Sequence, residues 1–283
     1  MQVIITLWQA VCFFPVSWHS LLGRIIGKLL FALASKRRRI AWANIQACFP
    51  LLSKSEKKKI LNQNFRCLGN SVFQTGMAWF WSDLKINKHI NYEIRGLELL
   101  QDSRPGLGNL VLFKHSQHLE LDARLLGLNS EIYGVGRLHN SPIMNSLQNK
   151  GRLSSIKATA DKNNPRKFIR WLKEGKNVLY AIDQDYGWES SVELSFFKKP
   201  AATITTTRKI IDMTKCNLLF VNSYYQGSKL ILELESFNHE GLDSRELAQK
   251  INDLIEQKIT LQPEEYLWAH RRFKSTMGKE FYK

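Results

Sequence analysis

A histidine and a glutamate, His115 and Glu120, stand where a predicted strand runs into a predicted helix. Four residues separate them, so both side chains cannot share one face of a continuous helix. They can meet if His115 lies in the turn before the helix and Glu120 reaches back from its first turns. The carboxylate would then orient the imidazole and stabilise its protonated form, so that His115 acts as a general base toward a hydroxyl. No side-chain nucleophile is needed if the acceptor alcohol itself attacks an activated acyl group.

His118 offers two further interpretations of the same segment. With His115 or Asp122 it has the spacing of a divalent-metal site, because HxxH and HxxxD both place two groups on one helical face. No further ligand cluster follows elsewhere in the sequence, so we predict neither a metal nor another cofactor. His118 and Asp122 are also spaced for an i,i+4 pair on a helix surface, and this is the interpretation we favour for His118.

The elements that must position these residues alternate between strand and helix from residue 91 onward. Apolar runs and helical periodicity predict strand 107–114, helix 117–127, strand 131–137, helix 142–149, a helix from Pro165 to Gly175, strand 177–183, helix 202–214, strands 217–225 and 229–236, and a final amphipathic helix around 247–255. Such alternation predicts an α/β fold with a mostly parallel central sheet flanked by helices. His115 then lies at the carboxyl end of a strand, where open α/β sheets hold their sites.

Two helices are predicted before this body. The first covers residues 37–49 and ends near Pro50, and the second opens with the capping box Ser53-x-x-Glu56. We therefore divide the chain into a membrane-anchoring segment at 1–35 and a second domain at 36–283. Within that domain, 36–90 is a helical entry and 91–283 is the α/β body.

The N-terminal segment has the pattern of a membrane anchor. Residues 1–23 contain no charged side chain, Pro15 interrupts them, and residues 21–34 repeat apolar side chains at helical spacing before the cluster Lys36–Arg39. An apolar stripe beside cations is typical of a helix in the headgroup layer, and the run is marginal for a full span. If it spans, the basic cluster should keep the body on the cytoplasmic side. The alternative is a core helix followed by a solvated basic loop. No cleavage site of a signal peptide follows the run.

Charge and composition narrow the classes of function. The 283 residues carry a net charge of +16, and residues 1–70 hold eleven basic residues against one acidic residue. Because these charges adjoin aliphatic side chains and no nucleic-acid motif is present, we predict a membrane-surface partner through residues 1–39 and no nucleic acid. With 11% aromatic residues a disordered chain is excluded. Four cysteines without CxxC pairing indicate a reducing compartment.

Several motifs of other enzyme classes are missing from the sequence. There is no P-loop, no GxGxxG after a strand and no GxSxG nucleophile elbow. These absences weigh against nucleotide-dependent chemistry and against an α/β-hydrolase.

The motifs that are present resemble, in order, those of the late acyltransferases of lipid A biosynthesis, within the H-x4-D/E glycerolipid acyltransferase superfamily. The similarity runs from about residue 36 to 276. The matching blocks are RRR-x-A-x-x-N-x-x-x-C-F-P at 37–50, H-x4-Leu-Glu-Leu-x-Ala-Arg at 115–124, Gly151-Arg152-Leu153, Asp183-Gln184-Asp185-Tyr186-Gly187, Phe196-Phe197-x-x-Pro200-Ala201-Ala202-Thr203, and Trp268-x-His270-Arg271-Arg272-Phe273-Lys274. After strand 131–135 the family has Tyr-Arg-Pro, where this chain has Gly136-Arg137-Leu138-His139-Asn140.

The resemblance implies a catalytic dyad of His115 and Glu120, with Arg152 and Asp183 as further functional positions. It also implies acyl carrier protein as the acyl donor and a hydroxyl of an anionic lipid A precursor, of the Kdo-lipid IVA type, as the acceptor. The reaction would take place on the cytoplasmic face of the inner membrane.

Other interpretations of the chain and of these two positions stay open. The acceptor could be a glycerophospholipid, or the chain could be a non-catalytic protein of the membrane surface. Arg152 is suited to bind phosphate or stabilise negative charge, but it could instead form an ion pair, for example with Asp183. Asp183 could simply cap the loop after its strand.

Overall fold

The structure is a computed structural model that describes residues 2–136 and 141–283, with side chains from residue 5 onward. Arg137 and the three residues after it lie outside the described residues.

Helices and strands alternate through most of the described chain. The helices are α1 (Gln2–Cys12), α2 (Val16–Leu33), α3 (Ser35–Cys48), α4 (Lys54–Phe80), α5 (Asp83–His89), α6 (Leu119–Asn129), α7 (Pro142–Arg152), α8 (Pro165–Lys173), α9 (Thr206–Thr214), α10 (Ser244–Leu261) and α11 (Lys274–Met277). The strands are β1 (Tyr92–Arg95), β2 (Asn109–Phe113), β3 (Ile132–Gly136), β4 (Ala158–Asp161), β5 (Asn177–Ala181), β6 (Ser191–Phe196), β7 (Lys199–Ile204), β8 (Asn217–Gln226) and β9 (Lys229–Ser236).

Seven strands form one sheet in the order β1-β9-β8-β2-β5-β3-β4. Every neighbouring pair is parallel except β8 and β9, which are antiparallel. The predicted α/β class with a mostly parallel sheet is therefore confirmed. Strand β2 lies between β8 and β5, so its carboxyl end opens near the middle of the sheet, where parallel sheets hold their sites.

Strand β2 is buried on both faces because helices cover both sides of the sheet. Leu110 and Leu112 belong to a core with residues of α3, α8, α9 and α10, whereas Val111 packs with the carboxyl half of α4 and with α6. This alternation is the period-2 pattern of a strand, with both sides apolar. The end of β2 is thus held rigidly between two cores.

A hairpin replaces the first turn of one predicted helix. Residues 202–204, expected to begin a helix, belong to strand β7, which pairs antiparallel with β6. The turn between the strands consists of Phe197 and Lys198, with φ of 50° and 58°. A two-residue hairpin needs positive φ, which Asn or Gly usually supplies, so the sequence lacks the usual hairpin signal here. The helix itself, α9, begins at Thr206.

Helices α2 and α4 begin where the sequence predicts. Pro15 precedes the first residue of α2, and the capping box of Ser53 and Glu56 opens α4. Helix α2 packs on α4 through small residues: a Cβ on Gly27 would lie 2.5 Å from the carbonyl oxygen of Phe65. The close approach of these helices therefore depends on glycine in α2.

The opposite face of α2 is apolar and exposed. Its large side chains are between 48% and 80% exposed: Trp18, Leu21, Ile25, Leu29 and Leu33. Within the described part of the chain, α2 is the helix whose length and composition would suit a membrane span. Because α2 packs on α4, a membrane span by α2 would bring α4 into the membrane as well.

Candidate active site

His115 meets Asp183 at the carboxyl ends of two adjacent strands. Strands β2 and β5 are parallel, with Phe113 opposite Ala181, so the residues two positions later come side by side. The His115 backbone N–H donates to Asp183 Oδ2 at 3.0 Å, and His115 Nδ1 lies 2.5 Å from Asp183 Oδ1. The register of the sheet therefore creates this pair.

The Asp183 carboxylate is fully buried and ionised. Burial by itself would raise its pKa, but the charge of His115 and hydrogen bonds from that residue lower it to about 2. An ionised carboxylate accepts a proton-bearing Nδ1, which leaves the lone pair of His115 on Nε2. Nε2 makes no hydrogen bond to any residue that the structure describes.

His270, from the C-terminal block, lies close enough to His115 for the two side chains to interact electrostatically. Burial and that charge lower the pKa of His270 to about 4. Its Nε2 accepts a hydrogen bond from the backbone N–H of Asp185 at 3.2 Å. His270 is therefore neutral at physiological pH and adds no second positive charge beside His115.

Glu120 has a different partner from the one that its spacing suggests. Arg152, at the end of α7, donates to it from Nε at 3.0 and 3.2 Å and from a terminal nitrogen at 2.5 Å. The expectation that Glu120 orients the His115 imidazole is corrected: Asp183 holds that ring. The suggested pairing of Arg152 with Asp183 is wrong, because Arg152 pairs with Glu120 and Asp183 pairs with His115. Gly136 makes room for the guanidinium, since a Cβ there would lie 3.2 Å from it.

Trp79 is a contact of Glu120 that sequence reasoning missed. Its indole Nε1–H donates to Glu120 Oε2 at 2.9 Å. Trp79 lies in the last turn of α4, and nothing in its local sequence distinguishes it from a core aromatic residue.

The site contains a small cavity of about 120 Å³. His115, Glu120 and Arg152 line it, and the Asp183 side chain lies behind His115 with no exposed surface. The rest of the lining is mostly apolar: Phe113, Leu119, Ala123, Gly134, Val135, Gly136, Ile156, Thr159, Leu179 and Ala181. The arrangement presents one basic nitrogen and one guanidinium–carboxylate pair to an apolar space, which suits proton abstraction from a hydroxyl beside an aliphatic chain.

His118 belongs to a separate buried network. Its Nδ1 lies 2.7 Å from Asp122 Oδ1, and its Nε2 lies 3.2 Å from Glu265 Oε2. Burial would lower the pKa of His118, but the two carboxylates raise it to about 9. The i,i+4 pair with Asp122 is confirmed, although it is buried and not on a helix surface as expected, because Glu265 and strand β8 cover it.

The ring of His118 has no nitrogen left for a metal, since both are hydrogen-bonded. Among the residues that the structure describes, no group of three or more His, Cys, Asp or Glu side chains could hold a metal ion.

Three further motif blocks hold the chain around the site. Asn44 of α3 donates to the carbonyl oxygens of Trp268 and His270 at 2.8 and 2.6 Å. Arg272 is buried and donates to Ala202 O at 2.7 Å, which fastens the C-terminal segment to strand β7. The sequence blocks at 37–50, 196–203 and 268–274 thus meet in space behind the site.

Comparison with known proteins decides the family. The model of the family described as bacterial lipid A biosynthesis acyltransferase matches residues 2–275. The chain belongs to this family. It is 35% identical over 260 residues to the lipid A biosynthesis palmitoleoyltransferase of Escherichia coli (strain K12), covering 90% of this chain and 84% of that protein. It is also 35% identical over 276 residues to the lipid A biosynthesis lauroyltransferase of the same organism, covering 95% and 89%. The predicted family is therefore confirmed.

One solved structure is more distantly similar to this lipid A biosynthesis acyltransferase. It is the 1-acyl-sn-glycerophosphate (LPA) acyltransferase PlsC from Thermotoga maritima, with 14% identity and a TM-score of 0.40 over 87% of this chain and 97% of that one. A similarity of this size carries no inference about the acceptor.

Proposed function

We propose that this acyltransferase moves a fatty acyl group from acyl carrier protein to a hydroxyl of a lipid A precursor. The observation that carries the proposal is the His115–Asp183 pair, in which Nδ1 is engaged and His115 lines an apolar cavity that Arg152 also lines. A buried carboxylate on Nδ1 and an unengaged Nε2 are the arrangement of a general base that acts on an alcohol.

In the proposed reaction His115 Nε2 takes the proton of the acceptor hydroxyl while the oxygen attacks the thioester carbonyl carbon. The carbonyl electrons move to the oxygen, and the positive imidazolium is stabilised by Asp183. When the tetrahedral intermediate collapses, the C–S bond breaks and the leaving thiolate receives the proton from His115. The products are an ester and the free thiol of the carrier, so the residues return to their starting state.

We assign Arg152 to the negative charge that develops on the carbonyl oxygen, with Glu120 holding the guanidinium. The Arg152 and Glu120 side chains are only 22% and 13% exposed, so water screens them little. A donor fixed in advance stabilises an oxyanion without reorganising at the moment of reaction.

We also propose that α2 binds the membrane in the plane of the headgroups. Its exposed stripe from Trp18 to Leu33 would enter the acyl boundary, and Arg24 and Lys28 would meet anionic lipid. Helix α4, on which α2 packs, begins with Lys54 and carries three more lysines in its first turns. A helix so charged cannot follow α2 into hydrocarbon, which favours an in-plane anchor over a span. The body would face the cytoplasm of the inner membrane.

The test of the function uses the purified protein in anionic vesicles with acyl-loaded acyl carrier protein. Two acceptors are compared, a Kdo-lipid IVA-type disaccharide and lysophosphatidate, and the products are read by mass spectrometry. The proposal expects one added acyl group on the disaccharide. Acylation of lysophosphatidate alone would favour the glycerophospholipid alternative, and no transfer to either would contradict the proposal.

The anchor has its own test in vesicle flotation. The triple change Leu21→Ser, Ile25→Ser and Leu29→Ser alters only exposed positions, so the fold should persist. We expect the variant to leave the vesicle fraction, and unchanged flotation would contradict the in-plane anchor.

A further inference from the structure

We propose that Trp79 is a positioning residue for the reaction, which holds the Glu120–Arg152 pair in place and ties it to the N-terminal helix α1. The inference rests on the proposed function, because it concerns the same site. Trp79 does not line the cavity that contains His115 and would not touch the reacting atoms.

Trp79 contacts both sides of the ion pair. Its indole Nε1–H donates to Glu120 Oε2 at 2.9 Å, the carboxylate that also accepts from Arg152. Its ring lies against Gly151, the residue before Arg152, so closely that a Cβ there would be 2.3 Å from Trp79 Cγ. One side chain therefore fixes the carboxylate through a hydrogen bond and the backbone that carries the guanidinium through packing.

The two donors of Arg152 align the Glu120 carboxylate with the guanidinium, but they do not fix the pair relative to the rest of the site. A third donor on a different helix anchors the carboxylate, and with it the guanidinium, to α4. Because Glu120 is on α6, Arg152 on α7 and Trp79 on α4, the three helices are fixed relative to one another at this point.

Trp79 also contacts the first helix of the chain. Trp8 of α1 packs edge-on against it, with ring centroids 5.6 Å apart and an angle of 70° between the rings. Trp8 is itself fixed, since its Nε1–H donates to the carbonyl oxygen of Val72 in α4 at 2.9 Å. A continuous path of packed groups therefore runs from α1 through Trp79 to Glu120, so the N-terminal region contributes to the geometry of the site and not only to membrane contact.

Trp79→Phe is the variant that tests this role, because it removes the N–H donor and keeps most of the ring. Trp81→Phe is its matched control. Trp81 is a buried indole at the end of the same helix, and its Nε1–H donates to the carbonyl oxygen of Cys12 at 2.9 Å, away from the ion pair. Both variants lose one indole hydrogen bond of equal length.

We expect Trp79→Phe to lower kcat about tenfold, the range for a lost hydrogen bond to a charged group, and to change KM for either substrate less than twofold. Trp81→Phe should keep kcat within twofold, even if it lowers Tm as much. Equal kcat values for Trp79→Phe and the unchanged protein would overturn the proposal, as would an equal loss in both variants.

A second measurement does not depend on activity. In a thermal-unfolding double-mutant cycle, Trp79→Phe and Glu120→Ala should shift Tm non-additively, because each removes the same contact, whereas Trp81→Phe and Glu120→Ala should add. Additive shifts for Trp79 would overturn the positioning role even if the unchanged protein transferred no acyl group. Absence of transfer in the unchanged protein, with non-additive shifts, would contradict the proposed function and leave the positioning of Glu120 supported.

Discussion

Replacing Asp183 with asparagine removes the charge behind His115 while keeping the size of the side chain. The carboxylate holds the imidazole through Nδ1 and through the backbone N–H of His115. An amide can still accept one of these hydrogen bonds but carries no charge, and its NH2 group can turn the imidazole to the wrong tautomer. The substitution therefore acts on the base without entering the cavity.

The size of the effect follows from the electrostatics of the pair. Despite burial, interaction with His115 lowers the pKa of Asp183 from 3.8 to about 2. A hydrogen bond between two charged groups in a buried site contributes about 2 kcal/mol, which is the stabilisation of the imidazolium that the asparagine would remove. Losing it in the transition state lowers kcat by roughly 30-fold, and a wrong tautomer lowers it further.

The assay is acyl transfer under single-turnover conditions in vesicles, with Asp185→Asn as the matched control. The Asp185 carboxylate accepts hydrogen bonds from Ser275 N and Oγ, both at 2.7 Å, and makes none to His115. We expect Asp183→Asn to lose at least 30-fold in rate and Asp185→Asn to lose stability more than rate. A rate for Asp183→Asn within threefold of the unchanged protein would refute the assignment of His115 as a base oriented by this residue.

Three other substitutions test the account at separate points. Because the pKa of His118 rises from 6.5 to about 9 on folding, its protonated form contributes stability that is fully present below pH 6.5 and is lost as the pH rises through 9. In urea unfolding, the stability difference between the unchanged protein and His118→Gln should therefore shrink by about 3 kcal/mol from pH 6 to pH 9, and a constant difference would contradict this. Gly27→Leu would place a Cβ 2.5 Å from the carbonyl oxygen of Phe65, so it should lower the free energy of unfolding by about 2 kcal/mol. Leu29→Ala, on the exposed face of α2, should lower it little. Equal losses in the two variants would contradict the packing of α2 on α4. Arg152→Lys keeps the charge but not the two-donor geometry, so kcat should fall about tenfold with little change in KM, and full activity would argue against a role for the guanidinium fork.

The position of His115 could be predicted from the sequence, because it depends on a local pattern. A buried apolar run marks β2, and a histidine directly after such a strand lies where an α/β sheet opens. The capping box at Ser53, the break at Pro15 and the alternation of strands and helices depend on neighbouring residues in the same way. These predictions agree with the structure, except that residues 202–204, predicted as helix, belong to β7.

The partners in the site could not be predicted, because they depend on the register of strands distant in sequence. His115 and Asp183 are 68 residues apart and meet only because β2 pairs with β5 in a particular register. Spacing favoured Glu120 as the partner of His115, but the side chain turns to Arg152, which is 32 residues away on another helix. Trp79 gave no local signal, since its role arises from the packing of α4 on α6.

The role of His115 as the base of lipid A acylation is tested most directly by the mass of lipid A from cells that lack this gene and carry either the unchanged chain or His115→Ala. Both proteins should be present in membranes at equal amounts, because the His115 imidazole lies at the cavity and is not part of either core. The unchanged chain should add the mass of one fatty acyl group, and His115→Ala should add none. The same added mass with His115→Ala would contradict this role.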